Sequence, residues 1–378
     1  DVYFGTTFDD VNQASRSNPS GVLVSQDQVA AECDPVGVLD FGQTYYWRID
    51  EVNAPPDNTI LKGNVWSFTT EPFAYPAQNI IATTNGASDE GAGPENTVNG
   101  SGLNADDRHS IEATDMWLVT PATEDPLWIQ YEFERVLKLH GLHVWNYNVQ
   151  FEKALGFGIK NTTIEYSTDG AAWTALGDFE FAQATARTGY ASNTTVDLAG
   201  VAARYVRLIV NNGFGPMGQY GLSEVRFTYI PVQPREPQPA DGATGVAPDV
   251  ALTWRAGREA SSHEVHLGVA PEAMTLAGTV ATAGFTPTSL EFGSTYYWQI
   301  VEVNDAETIP SWAGDLWSFS TQEYAVIDDF ESYTDNLDAG EAIFDTWIDG
   351  WVNNSGSTVG YFEAPFAEQR IVHGGRQS

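Results

Sequence analysis

One cysteine stands in 378 residues. No disulfide can close within the chain, and one thiol does not make a zinc site. Basic residues are scarce: 17 lysines and arginines face 51 acids, for a net charge of -34. Nucleic-acid binding and anionic lipid surfaces both call for a basic footprint, which this chain lacks. There is no apolar run long enough for a membrane-spanning helix. Asp1 opens the chain without a basic-then-apolar leader.

What is present is apolar and aromatic, at 42% and 12% of residues. That suffices for packed cores and excludes a disordered chain. The length fits roughly two to four domains. The acidity suits a solvated extracellular surface and hard cations.

One stretch occurs twice. FGQTYYWRIDEVN (Phe41–Asn53) returns as FGSTYYWQIVEVN (Phe292–Asn304), 251 positions later. NVWSFTTEPF (Asn64–Phe73) matches DLWSFSTQEY (Asp315–Tyr324) at the same offset, and DVYFG (Asp1–Gly5) resembles EVHLG (Glu264–Gly268). Such duplication marks two copies of one module. Its period is that of a strand: Tyr45, Trp47 and Ile49 share one face, Tyr46, Arg48 and Asp50 the other. The second copy begins earlier, with candidate strands at Ala251–Trp254 and His263–Leu267. The first copy therefore reads as lacking two strands, with an open edge and core face. The expectation is a piece of a longer modular polypeptide, or completion by another subunit's strands.

Leu39-x-x-Gly42-x-x-Tyr45, repeated as Leu290-x-x-Gly293-x-x-Tyr296, resembles the tyrosine-corner turn of fibronectin type III domains. That resemblance implies a tyrosine hydroxyl tied to backbone upstream.

Between the copies, WIQYEFE alternates Ile129, Tyr131 and Phe133 against Gln130, Glu132 and Glu134. TIEYSTDGAAWTAL reads as a hairpin with Asp169-Gly170 at its turn. No helical period persists there, so an all-β sandwich or jelly roll is expected. The Pro-rich Pro231–Pro239 marks a stiff linker.

PENTVNGSGLN, WIQYEF, LKLHGLHVWNYN, KNTTIEYSTDGAAWTAL, ARYVRLIV and GLSEVRF follow in an order that resembles a discoidin (coagulation factor V/VIII type C) domain. These are galactose-binding-like jelly rolls. The resemblance implies a non-catalytic module that binds glycans, or sometimes lipids or proteins, through loops at one end. The expected architecture is all-β tandem sandwiches. A partial fibronectin III-like module spans 1–73, a discoidin-like jelly roll 76–232 and a fibronectin III-like module 236–323. The start of a further carbohydrate-binding-type sandwich spans 325–378.

The family often holds a structural Ca2+, which implies ligands in Pro94–Asp107 and from Glu224. Asn99 and Glu224 would give side-chain oxygens, with Asn96 and Asn104 assisting. The family more commonly has aspartate where Asn99 stands. The alternative is a plain Asn/Gly turn with Glu224 hydrogen-bonded to it. For a sugar, an aromatic ring covers the C–H face while polar groups read the hydroxyl rim. Trp145 and Tyr147 alternate with Asn146 and Asn148, and either Trp145 is core or it faces the ligand. A second loop brings His109 and Asp115, a third Phe214 and Tyr220. Galactoside-binding members often use an arginine after the WNYN position. VQFEKALGFGIK (Val149–Lys160) has none, so ligand identity does not transfer.

Three motifs are decoys. GFGPMG (Gly213–Gly218) spells a nucleotide motif but runs into Pro216 and a strand, not a helix. His263 and His266 sit three apart on a strand and diverge. Asp328-Asp329 cannot face each other across a cleft as a glycosidase pair must. Asn99, Asn161, Asn193 and Asn353 fit the glycosylation acceptor pattern.

The functional expectation is a non-catalytic, extracellular, glycan-binding or adhesive segment whose partners are glycans or copies of itself. Nucleic acid and membrane insertion are not expected. The alternatives are a subunit of a surface fibre, sheath or layer, and the accessory region of a polysaccharide-degrading enzyme.

Overall fold

The computed structural model describes residues 1–35, 37–325, 327–348, 350 and 354–370. Asn353, together with residues 326, 349, 351–352 and 371–378 of the last segment, therefore lies outside the described residues. Strand makes up 40% of the chain and helix 7%, so the fold is all-β. The chain divides into two compact units, 1–232 with 257–259, and 233–256 with 260–378.

The first unit opens with a four-stranded antiparallel sheet. Its order is Leu23–Ser25, Val2–Gly5, Thr44–Ile49, Val65–Thr69. The Tyr45 hydroxyl accepts from Asp40 N at 3.0 Å, the expected tie to upstream backbone. One outer face is covered by a helix that no sequence period announced, Phe8–Gln13. Arg48 anchors it. This fully buried guanidinium pairs with Asp50 at 2.7 and 2.9 Å, donates to the Val11, Asn12 and Ala14 carbonyls, and lies 4.2 Å from the Tyr3 ring centre. The repeat has Gln299 at this position.

Glu51–Val52 and Ile60–Leu61 pair as a small ribbon, and a ten-stranded jelly roll follows, built around one strand, Trp128–Asn146. Its first half pairs with Ala202–Gly213 and Ile81–Thr84; its second half pairs with Tyr220–Ile230 and Thr194–Asp197. A register shift between Glu132 and Leu137 bends it between partners. The expected alternation holds: Ile129, Tyr131 and Phe133 are buried, and they join Trp117, Leu142, Leu208 and Phe227 in one core. The hairpin Ile159–Ser167 to Thr174–Glu180 also forms, but its turn is longer than two residues. Asp169 pins that turn by accepting from Ala171 N and Ala172 N at 2.8 and 2.9 Å.

The second unit packs two sheets. Three strands, Arg235–Gln238, Leu252–Arg255 and Gly284–Phe285, form one. The other holds Ala243–Val246, Trp317–Thr321, Thr295–Val303, Ser262–Gly268 and Thr275–Val280, with Ser311–Ala313 at its side. Between them lie Leu252, Trp254, Val265, Trp298, Ile300, Trp317 and Phe319. Tyr296 repeats the corner, its hydroxyl accepting from Glu291 N at 2.8 Å. Beyond Trp317–Thr321 no strand occurs among the described residues, although the sequence reads as β-forming there.

Candidate functional site

At one end of the jelly roll four loops meet, and buried polar side chains hold them together. Asn148 is the chief clasp. Its Nδ2 donates to the Ser110 and Arg187 carbonyls at 2.8 and 2.9 Å, and its Oδ1 accepts from Ala186 N at 2.8 Å. Asn146 works the same way: Nδ2 donates to Ile159 O and Ala182 O, and Oδ1 accepts from Tyr147 N. Glu152 accepts from Phe157 N and Gly158 N at 2.9 and 3.0 Å, and burial raises its pKa. Gly215 lies so close to the 152–155 turn that a Cβ would come within 1.9 Å of Leu155 O. That close approach gives Gly215 a packing reason, and Gly218 lies in the left-handed region at φ 70.

The expected ligand-facing residues are the floor of this arrangement. Trp145, Asn146, Tyr147, Asn148 and His109 are all buried, with exposures of 5% or less. Trp145 packs with Ala184 and Tyr190 and donates from Nε1 to Asp107 O at 3.1 Å, so the core alternative describes it. Tyr147 packs with Met116 and Leu118, and burial pushes its hydroxyl up to about 12. His109 has its Nε2 buried without a hydrogen bond, and burial lowers its pKa. These side chains reach inward because the loop backbone itself needs partners there. Asp115 and Tyr220 are half-buried; Asp115 accepts from Ser110 Oγ at 2.7 Å, and Tyr220 lies against Gly213.

Sequence reading missed the groups that do face solvent on these loops. Phe151 is 63% exposed, Met217 57%, and Arg108 and Arg187 are exposed. Arg187 lies on a loop distant in sequence, whose backbone the Asn148 clasp holds. Phe151 was legible as an aromatic just past the strand end, where alternation no longer buries it.

The cation-site candidates divide. Glu224 is 2% exposed and its Oε2 has no hydrogen-bond partner. Burial pushes its carboxyl up to about 8, with Asp107 adding to the rise and Arg226 and the Gly100 backbone opposing it. Opposite is the turn through Gly100 and Gly102, both in the left-handed region at φ 73 and 77. The unpartnered Oε2 of this buried carboxyl is the feature here that suits a hard cation once the group is ionised. The asparagines contribute less than expected. Asn96 donates to the Gly91, Thr114 and Met116 carbonyls. Asn99 Oδ1 is engaged by Ser101 N and Oγ. Asn104 is exposed, and its Oδ1 caps Asp106 N and Arg108 N. Among the described residues no three acidic, imidazole or thiol groups converge on a metal position.

The decoys are accounted for locally. His263 is buried against Glu302, while His266 is only partly buried, with its Nε2 3.6 Å from Glu264. Asp328 accepts from Trp347 Nε1 and Phe330 N.

Residues 79–223 match the family model of the F5/8 type C domain. No curated protein matches the chain. Solved structures similar to it include CpGH89CBM32-5 from Clostridium perfringens in complex with GalNAc-β-1,3-galactose, at 17% identity, 41% of this chain, 98% of that one and a TM-score of 0.32. The family 32 carbohydrate-binding module of C. perfringens NanJ in complex with galactose shares 11% identity, over 41% and 98%, at 0.31. An F5/8 type C domain from Bacteroides fragilis shares 12%, over 42% and 97%, also at 0.31.

Proposed function

We propose, from the premise that residues 79–223 are an F5/8 type C domain, that this chain is a non-catalytic glycan-binding segment of an extracellular or cell-surface protein. The observation that carries the reading is the Asn148 clasp, which ties its own loop to those at Ser110 and at Ala186 and Arg187, with Phe151 and two arginines left outward. An exposed ring offers the flat surface that a sugar's C–H face covers, and guanidinium donors suit hydroxyl rims. Single sites of this kind bind weakly, and tethering in a larger protein raises their avidity. Adhesion to glycans follows from that design. Ca2+ belongs to the same reading: Glu224 and the carbonyls of the 99–102 turn would hold it, and bound there it supplies positive charge that fixes the turn.

The test is a glycan array on the intact chain, with terminal galactose and GalNAc, the sugars of the similar structures, as first probes. Binding is expected, and Phe151→Ala or Arg187→Ala should weaken it by about tenfold or more, a loss of about 1.4 kcal/mol. An array without a hit, or variants that bind like the parent, would sink the reading.

A further inference from the structure

Three asparagines precede a glycine: Asn85-Gly86, Asn99-Gly100 and Asn212-Gly213. In such a pair the glycine nitrogen is free to attack the side-chain amide carbon, because the next residue has no Cβ to hinder the approach. The fold treats the three pairs differently.

Asn85 is pinned at both ends of its amide. Its Oδ1 accepts from Trp128 N at 2.9 Å, and its Nδ2 donates to Pro126 O at 3.0 Å. Gly86 N is itself engaged, donating to Thr84 Oγ1 at 3.2 Å, and a Cβ on Gly86 would lie 2.3 Å from Val119. Asn212 lies on the strand Ala202–Gly213 and pairs with Asn161, whose Nδ2 donates to its Oδ1 at 3.0 Å. At both positions, closing a succinimide ring would turn a backbone that its neighbours hold still.

Asn99 is exposed and lies outside every strand and helix. Gly100 follows at φ 73, with no heavy atom within 4 Å of where its Cβ would stand. Ser101 N and Oγ both donate to Asn99 Oδ1, at 2.8 and 2.6 Å. The other acceptor near the Ser101 hydroxyl, Asp115 O, is farther away at 3.3 Å. A bond from the N–H two residues on folds the asparagine side chain back over the turn, toward Gly100 N. Two donors on one carbonyl oxygen draw charge from its carbon and stabilise the oxyanion that forms when a nucleophile adds. The amide nitrogen is lightly held, with one long bond to Asn96 Oδ1 at 3.4 Å.

We infer that Asn99 is a self-modification site, where this turn converts the side-chain amide to a carboxylate. Gly100 N adds to the Asn99 Cγ and gives its proton to solvent base. The tetrahedral carbon expels the amide nitrogen, which takes up a proton and leaves as ammonia. Water then opens the succinimide at either carbonyl, giving aspartate or isoaspartate. One water enters and one ammonia leaves. Ser101 is the positioning residue. The new charge stands next to Gly100, whose backbone faces the Glu224 carboxyl, so the turn becomes more acidic as the protein ages. The step requires neither a glycan nor a cation.

The test incubates the intact chain at mildly alkaline pH and follows amide-to-acid conversion at the three sites by peptide mapping and mass spectrometry. The same incubation in urea gives each site its local-sequence reference. Folding should slow Asn85 and Asn212 at least about tenfold and should not slow Asn99. Ser101→Ala should slow Asn99 in the folded chain at least about threefold and leave its rate in urea unchanged, and Ser101→Thr, which keeps the hydroxyl, should restore it. Slower conversion of Asn99 in the folded chain than in urea overturns the proposal. So does conversion of Asn85 or Asn212 as fast as Asn99 in the folded chain, or a Ser101→Ala variant that converts like the parent.

Discussion

Glu224 and Asn148 show how single side chains set this molecule's loops. A carboxyl raised to about 8 holds its proton in the folded chain, where the unfolded chain has lost it above its ordinary 4.5. The folded state then binds more protons between those values, so stability falls as pH rises through that window. Urea unfolding at pH 5, 7 and 9 in the presence of a chelator should show that fall, and Glu224→Gln should flatten it. Parallel curves for the two proteins would contradict the assignment. A cation would need the ionised form, so Ca2+ should restore stability most at the high end of the range. Asn148→Ala strands two part-buried carbonyls and one N–H, with an expected cost of about 1–3 kcal/mol. Denaturant midpoints measure it, and loss of glycan binding should accompany it.

At the scale of elements, the repeat is an internal control. Trp317→Ala removes a ring sealed between two sheets and should cost about 3–5 kcal/mol. Trp66→Ala, the same residue in an open sheet, should cost less than about 1 kcal/mol. Thermal unfolding of the two variants decides it, and equal losses would mean that the first face is covered. Strand alternation was readable wherever one face is buried: Ile129, Tyr131 and Phe133 point inward because period 2 on a half-buried strand leaves no other choice. The Phe8–Gln13 helix was not readable, since six residues carry too little periodicity. Its anchor, Arg48, needed the fold to bring Val11, Asn12 and Ala14 beside it.

Across the whole molecule, the excess of acid acts on every surface at once. A net charge of -34 makes the compact state repel itself. Raising the salt from about 10 mM to about 1 M shortens the screening length from roughly 30 Å to 3 Å and should raise the melting temperature. Differential scanning calorimetry measures this, and a melting temperature that does not move with salt would argue that the acids are already paired. No helix among the described residues is long and apolar enough to cross a membrane.

From the sequence alone came the all-β class, the duplicated stretch and the F5/8 type C region, with the ligand loops as an expectation. Each of these rests on local order: period-2 burial, turn glycines and segments in sequence. Only the tertiary structure decided which side chains those loops present. Trp145, Asn146, Tyr147 and Asn148 turned inward because loop backbone must find hydrogen-bond partners once buried, and those partners lie some 40 residues away along the chain. Phe151, Arg108 and Arg187 were left outside by the same packing. Contact between distant segments is a property of the folded chain, and no short window of residues contains it.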